Sequence, residues 1–347
     1  MAVEQAKKTE PQNLLSAKLT TPLRIAYEEA AEGVTASVAV VRSAPLEPPA
    51  TGRLAKVVYG FALPIAVMRA LLRDPLERRR FLIQATVRML VVFAVAAAVA
   101  WSGIEATIRL GIFPPGTDFK SKATIFGALV SSMYATLAVI EWIVIAFTHE
   151  FDAQAGRQAS LRAGIEPEDD EMRPRVRLDT RWIGKRIKRA IRGYRVYIIG
   201  IPAISVVLLI PLAGRPLYGL LLGLWSLYWL VVLTASKTAA AWTLEGVAPA
   251  PFYLRFWSFV TRRVHGFRWW LPLAYGRTWR SQSEAIFSPC KAVEDAPYPL
   301  LGLALCRALL GLPGIYLFLR PFIPVAAAHI IASSRRKDVP LLTETTL

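Results

Sequence analysis

The chain has 347 residues, 54% of them hydrophobic, and a mean hydropathy of +0.39. The apolar residues gather in runs of membrane length, which excludes a water-soluble globule and indicates an integral membrane protein. The formal net charge of +17 does not point to nucleic acid: no base-reading motif accompanies it, and the Lys and Arg flank apolar runs, where they set orientation and meet anionic lipid head groups.

Residues 1–52 are polar and mixed, ending in Ala44-Pro45-Leu46-Glu47-Pro48-Pro49. They predict a disordered tail, and Met1 to Gln5 lack the basic n-region of a cleavable signal. An α-helical membrane domain then covers 53–334. Its first segment, 54–73, is interrupted by Pro64 and edged by Arg53, Lys56, Arg69 and Arg73. Its apolar run reaches roughly 22 Å against a hydrocarbon core of about 30 Å, which predicts a half-penetrating helix. Arg78-Arg79-Arg80 introduce the first span, about 81–104, and a short loop leads to the second, about 123–147. Residues 149–193 are polar. They carry the acidic knot Glu166 and Glu168-Asp169-Asp170-Glu171, then Lys185, Arg186, Lys188 and Arg189 interleaved with Trp182, Ile183, Ile187 and Ile191. That spacing predicts a basic amphipathic helix on an anionic leaflet. Spans three and four follow at about 194–212 and 217–236. The next stretch is rich in Arg and Trp, and its Trp269 and Trp270 are expected in the head-group zone.

Residues 299–332 are apolar but broken at Gly311-Leu312-Pro313-Gly314 and at Arg320-Pro321. As one helix, Pro299 to Ile331 would measure about 50 Å, too long for a bilayer without severe tilt. The loops at 51–80, 148–193 and 237–298 are basic, whereas those at 105–122 and 213–216 are not. The positive-inside rule makes the former cytoplasmic. A single final span would carry Arg335-Arg336-Lys337 outside. A hairpin returns them, leaving 335–347 as a cytoplasmic tail. The expected class is therefore an all-α integral membrane protein, with four transmembrane helices, an N-terminal half-penetrating helix and a C-terminal broken hairpin.

Three blocks carry a family resemblance. Tyr59-Gly60-Phe61 is followed by Leu71-Leu72-Arg73-Asp74-Pro75 and Arg80. Two spans flank a polar loop with a basic helix. Leu312-Pro313-Gly314 precedes Arg320-Pro321-Phe322-Ile323-Pro324-Val325. Together they resemble the CysZ-like sulfate permeases and the related etoposide-induced 2.4 membrane proteins, over about residues 54–333. The resemblance implies two long helix pairs, hemi-penetrating helices, a homo-oligomer and sulfate uptake across a bacterial inner membrane. Thr148-His149-Glu150-Phe151-Asp152 departs from the family's Pro-Phe-Asn-type motif, and the Pro251–Asp295 segment is longer.

Arg307 and Arg320 suit an oxyanion, since a guanidinium matches sulfate geometry; equally, both suit snorkelling to lipid phosphates. Gly311 and Gly314 either add backbone N–H donors to a bound anion or simply make a turn. Glu141 reads as a partner for Arg88, a proton- or cation-coupling group, or an interfacial carboxylate. His149, Glu150 and Asp152 lack metal-site spacing. No cofactor, metal or catalytic motif appears, and none is expected. The function expected is permease- or channel-like passage of a small anion such as sulfate; the alternative is a non-transporting scaffold that binds lipid or partner proteins through its basic segments.

Overall fold

The computed structural model describes residues 52–109, 119–243, 248–312 and 315–338. The N-terminal tail before Gly52, the centre of the 105–122 loop, Pro313-Gly314 and the chain beyond Asp338 lie outside the described residues. Every helix or strand assigned among the described residues is helical.

Five helices are long and apolar enough to cross a membrane, so the chain is a multi-pass membrane protein. The expectation was four. The fifth is α1 (Arg53–Leu72), whose central Pro64 does not end it. More than half of its apolar window is buried inside the protein, against about a fifth for its successor. Tyr59, Leu63, Val67 and Leu71 form a stripe at four-residue spacing with essentially no exposure, the signature of a helix face sunk in a core.

Helix α2 (Pro75–Arg109) has 35 residues and α3 (Phe119–Ala163) has 45. At 1.5 Å per residue these are roughly 52 and 68 Å, so both outrun the bilayer core. They pack together, and Leu82, Val87, Leu90, Phe93 and Val139 stay exposed along them, as lipid-facing side chains do. The polar segment after residue 148 was expected to be loop; instead α3 continues through it with a kink. Thr148 leaves helical geometry at φ −117° and ψ 16°, and its hydroxyl donates to Val144 O at 2.8 Å. Such back-bonding bends helices.

Helix α4 (Thr180–Ser205) starts on Asp179, whose carboxylate accepts from the N–H groups of Arg181 and Trp182. It pairs with α5 (Gly214–Ala235). Gly200 makes room for the Trp225 ring, and Trp225 Nε1 donates to Tyr197 O at 3.0 Å. The Arg- and Trp-rich stretch folds into α6 (Phe252–Arg263), α7 (Trp270–Ser283) and α8 (Phe287–Asp295). Tyr253 and Trp279 stack at 5.2 Å and both meet Trp225 edge-on. The two cysteines, Cys290 and Cys306, are buried and unbridged.

The C-terminal stretch forms α9 (Pro297–Leu309), α10 (Ile315–Leu319) and α11 (Phe322–Asp338). Helix α11 takes in the start of the expected tail. Helices α9 and α11 pack on each other and on α1. The closest crossing joins α1 to α9 through bare backbone. A methyl at Gly60 would overlap Pro299 O, and one at Gly302 would overlap Val57 O. Small residues at such crossings let helices approach to backbone contact. Both helices close on Arg-Ala-Leu-Leu-x-x-Pro, at Arg69–Pro75 and Arg307–Pro313.

Substituting Gly302→Ala should therefore destabilise the domain by at least about 1–3 kcal/mol, the range for overpacking a filled core. Gly219→Ala, at a site with open space around it, should leave the melting temperature in detergent unchanged. Equal melting temperatures for the two variants would contradict this packing.

Candidate functional site

Beyond the kink, α3 turns one face inward, carrying Asp152, Gly156 and Ser160. Asp152 is 8% exposed and shared between two buried guanidinium groups. Arg88 Nη1, from α2, donates to Oδ1 at 2.5 Å, and Arg320 Nη1, from the α10–α11 break, donates to Oδ2. One turn later Gly156 admits the Pro321 carbonyl, which would lie 3.0 Å from an added methyl. The break at Arg320-Pro321 is thus covered by protein, the condition for irregular backbone at membrane depth.

Arg320 borders a cavity of about 500 Å³. Four further elements supply cations to it. Helix α4 contributes Lys185, Arg186 and Arg189; α3 contributes Arg157; α9 contributes Arg307; and the turn after α5 contributes Lys237. Arg307 Nη1 donates to Thr234 Oγ1 at 3.0 Å, and Lys237 Nζ donates to the Tyr316 hydroxyl. Arg186 lies 5.2 Å over the Trp182 ring and Arg189 5.5 Å over Trp242, contacts that orient a guanidinium without neutralising it. Burial, then the neighbouring Arg307, Arg186 and Arg320, holds the Lys237 ammonium well below the usual lysine range. The wall between these charges is apolar, made by Leu233, Pro321, Val325 and Ala328. The result is a partly open, partly apolar cavity in which cations outnumber acids, and such a field attracts anions.

The structure thus brings Arg307 and Arg320 into one cavity. Gly311 is half-buried in the turn after α9 and does not line it; Gly314 lies outside the described residues. Of the basic helix, Lys185, Arg186 and Arg189 border the cavity, whereas Lys188 is exposed and does not. Trp269 and Trp270 are 52% and 70% exposed at the start of α7.

Asp152 and Lys237 were not singled out as anion-site residues from sequence. Asp152 sat in a polar stretch whose acids lacked metal-site spacing, and Lys237 is simply the first residue of the basic 237–298 loop. The one available signal is the 182, 185, 186, 189 spacing, which defines a helix face without saying what it faces. His149, Glu150 and Asp152 take separate partners. His149 stacks on Trp182 at 4.4 Å, and Glu150 accepts from Arg177 Nε at 2.6 Å and Arg175 N at 2.8 Å. Arg88 pairs with Asp152 rather than with Glu141, which is 6% exposed with its Oε1 unpartnered.

Asp152→Asn leaves two buried guanidinium groups without a counter-charge. Breaking a buried pair in this way costs about 3–5 kcal/mol, so the variant should melt well below the wild type in detergent. Glu141 forms no ion pair among the described residues, although Arg320 lies within range of its charge, so Glu141→Gln should cost less than Asp152→Asn. An Asp152→Asn protein as stable as wild type would contradict the shared pairing.

No protein-family model matches the chain, and neither a curated protein nor a solved structure matches it.

Proposed function

We propose that this protein is a permease- or channel-like membrane protein that passes a small oxyanion, with sulfate the first candidate. The observation that carries the reading is the meeting of Arg186, Lys237, Arg307 and Arg320, from four separate parts of the chain, around one cavity. A scaffold that only adheres to lipid has no need to gather cations inward, where each loses hydration. An oxyanion of high charge density answers that arrangement, because it accepts several charge-assisted hydrogen bonds at once.

The broken C-terminal hairpin supports the same reading, since transporters build ion sites at interrupted helices. So does the resemblance to the CysZ-like permeases, whose bacterial members take up sulfate. By the charge of its loops, the cavity lies toward the cytoplasmic side of a bacterial inner membrane, and with α1 half-penetrating rather than crossing, both termini lie on that side. A homo-oligomer is the assembly that the resemblance implies.

In proteoliposomes, labelled sulfate should enter faster than into empty vesicles. Arg307→Ala should lower uptake roughly tenfold, the loss expected for one hydrogen bond to a charged group at about 1.5 kcal/mol. Uptake no greater than in empty vesicles, for sulfate and for related oxyanions, defeats the proposal.

Sulfate binding should also depend on pH through Lys237. A bound dianion favours the ammonium, so the Lys237 pKa rises on binding and a proton is taken up. Affinity then falls as pH rises through the window between the free value, which lies well below the ordinary lysine range, and the raised bound value. Calorimetry across neutral to alkaline pH should show this slope in wild type and a flatter one in Lys237→Arg, which stays charged throughout. Identical slopes would exclude Lys237 from the site.

A further inference from the structure

The acids of the cavity are unequally committed. Asp152 is held by Arg88 and Arg320. The other three, Glu166, Glu168 and Asp169, all come from the single loop that joins α3 to α4.

That loop is tethered at its start. Gly164 turns the chain with φ +70°, Ile165 N donates to Ser160 O at 2.8 Å, and the Ile165 side chain is buried in the core. The acidic residues beyond are exposed, yet they reach back across the cavity mouth. The Glu168 carboxylate accepts from Thr238 Oγ1, from Ala239 N at 3.2 Å and from Ala240 N at 2.8 Å, beside Lys237. Glu171 Oε2 lies 3.9 Å from Arg157 Nη2. Lost hydration against the cavity wall, then Glu168 and Asp170, raises the Asp169 carboxyl above its usual range, so the neighbouring acids disfavour one another's charge. They nonetheless line a cavity in which Lys and Arg outnumber acids, a field that favours carboxylates.

We propose that residues 165–171 form an acidic strap, a tethered competitor that holds the mouth of the cavity until a free oxyanion displaces it. The strap rests on the reading of the cavity as an anion site. Its carboxylates meet the cations at the high effective concentration that tethering confers. Its bonds to the Ala239 and Ala240 N–H groups are solvent-exposed, so a diffusing dianion can exchange with them. The strap makes entry depend on anion charge, because a monovalent anion displaces several carboxylates less effectively than a divalent one.

The test uses the full-length protein in detergent, with sodium sulfate as the probe and sodium chloride at matched ionic strength as the reference. The combined variant Glu166→Gln, Glu168→Gln, Asp169→Asn should bind sulfate about tenfold more tightly by calorimetry, the equivalent of losing one competing charged hydrogen bond. In wild type, sulfate but not chloride should speed amide hydrogen exchange across residues 166–171. This second readout needs no variant, so it decides the matter if the triple substitution does not fold. Wild-type binding that the variant does not strengthen, or exchange that sulfate slows or leaves unchanged, overturns the strap alone. Absence of sulfate binding in every form, the strap variant included, removes both the anion site and the strap.

Discussion

Asp152 is the point on which the architecture turns. One carboxylate joins α2, α3 and the α10–α11 break, because Arg88 and Arg320 each claim one of its oxygens. Removing three charges from water costs several kcal/mol for each ion, and the mutual attraction offsets this only when geometry and pairing are good. A buried ion pair is thus a weak stabiliser relative to apolar packing but a strong constraint on register. Slide α3 by one residue and Asp152 faces elsewhere, leaving two buried guanidinium groups unpaired. The pairing fixes the height of α3 against the C-terminal hairpin. With that height fixed, Gly156 meets the Pro321 carbonyl and Arg320 borders the cavity.

The cavity has a different electrostatic character. There the cations outnumber the acids, and most are held by contacts that do not cancel their charge: an aromatic face for Arg186 and Arg189, a hydroxyl for Arg307 and Lys237. Such contacts satisfy donors and fix side-chain direction while leaving the field in place. Close to Asp152 two guanidinium groups are tied to one carboxylate and the charge is structural; a short distance away it is left available. Arg320 belongs to both regions, so the element that fixes the fold also borders the space around which the other cations gather.

Much of the fold was legible in the sequence because hydropathy and loop charge act locally. The long helices and the broken final stretch follow from runs of side chains and from proline, whereas the loop expected at 213–216 turns at 211–213 instead, and Gly214 already opens α5. The status of α1 did not, since its apolar run is the same whether lipid or protein covers it; only the partner, α9, decides. The extension of α3 past Thr148 was hidden because its polar residues read as loop until their partners are known. Within the site, Arg307 and Arg320 stood out because charge in an apolar run is conspicuous. Asp152 and Lys237 did not, since a charge in a polar segment carries no sign of what will surround it. Arg186 was visible as part of a basic face, but the periodicity that reveals a face is silent on whether lipid or a cavity lies against it.

The backbone contact between Gly60 and Gly302 has a bearing on biogenesis. Helix α1 is the first described helix of the domain to leave the ribosome, and α9, its closest partner, is among the last. Until α9 arrives, the glycine notch of α1 has nothing to close it, and its buried stripe must rest against lipid or against the insertion machinery. Non-local pairings of this kind are reached late and leave the chain exposed to wrong associations meanwhile. The final stretch is therefore a closure for the first, and a chain cut short before Pro297 would retain its long helices yet lack the piece that completes its core.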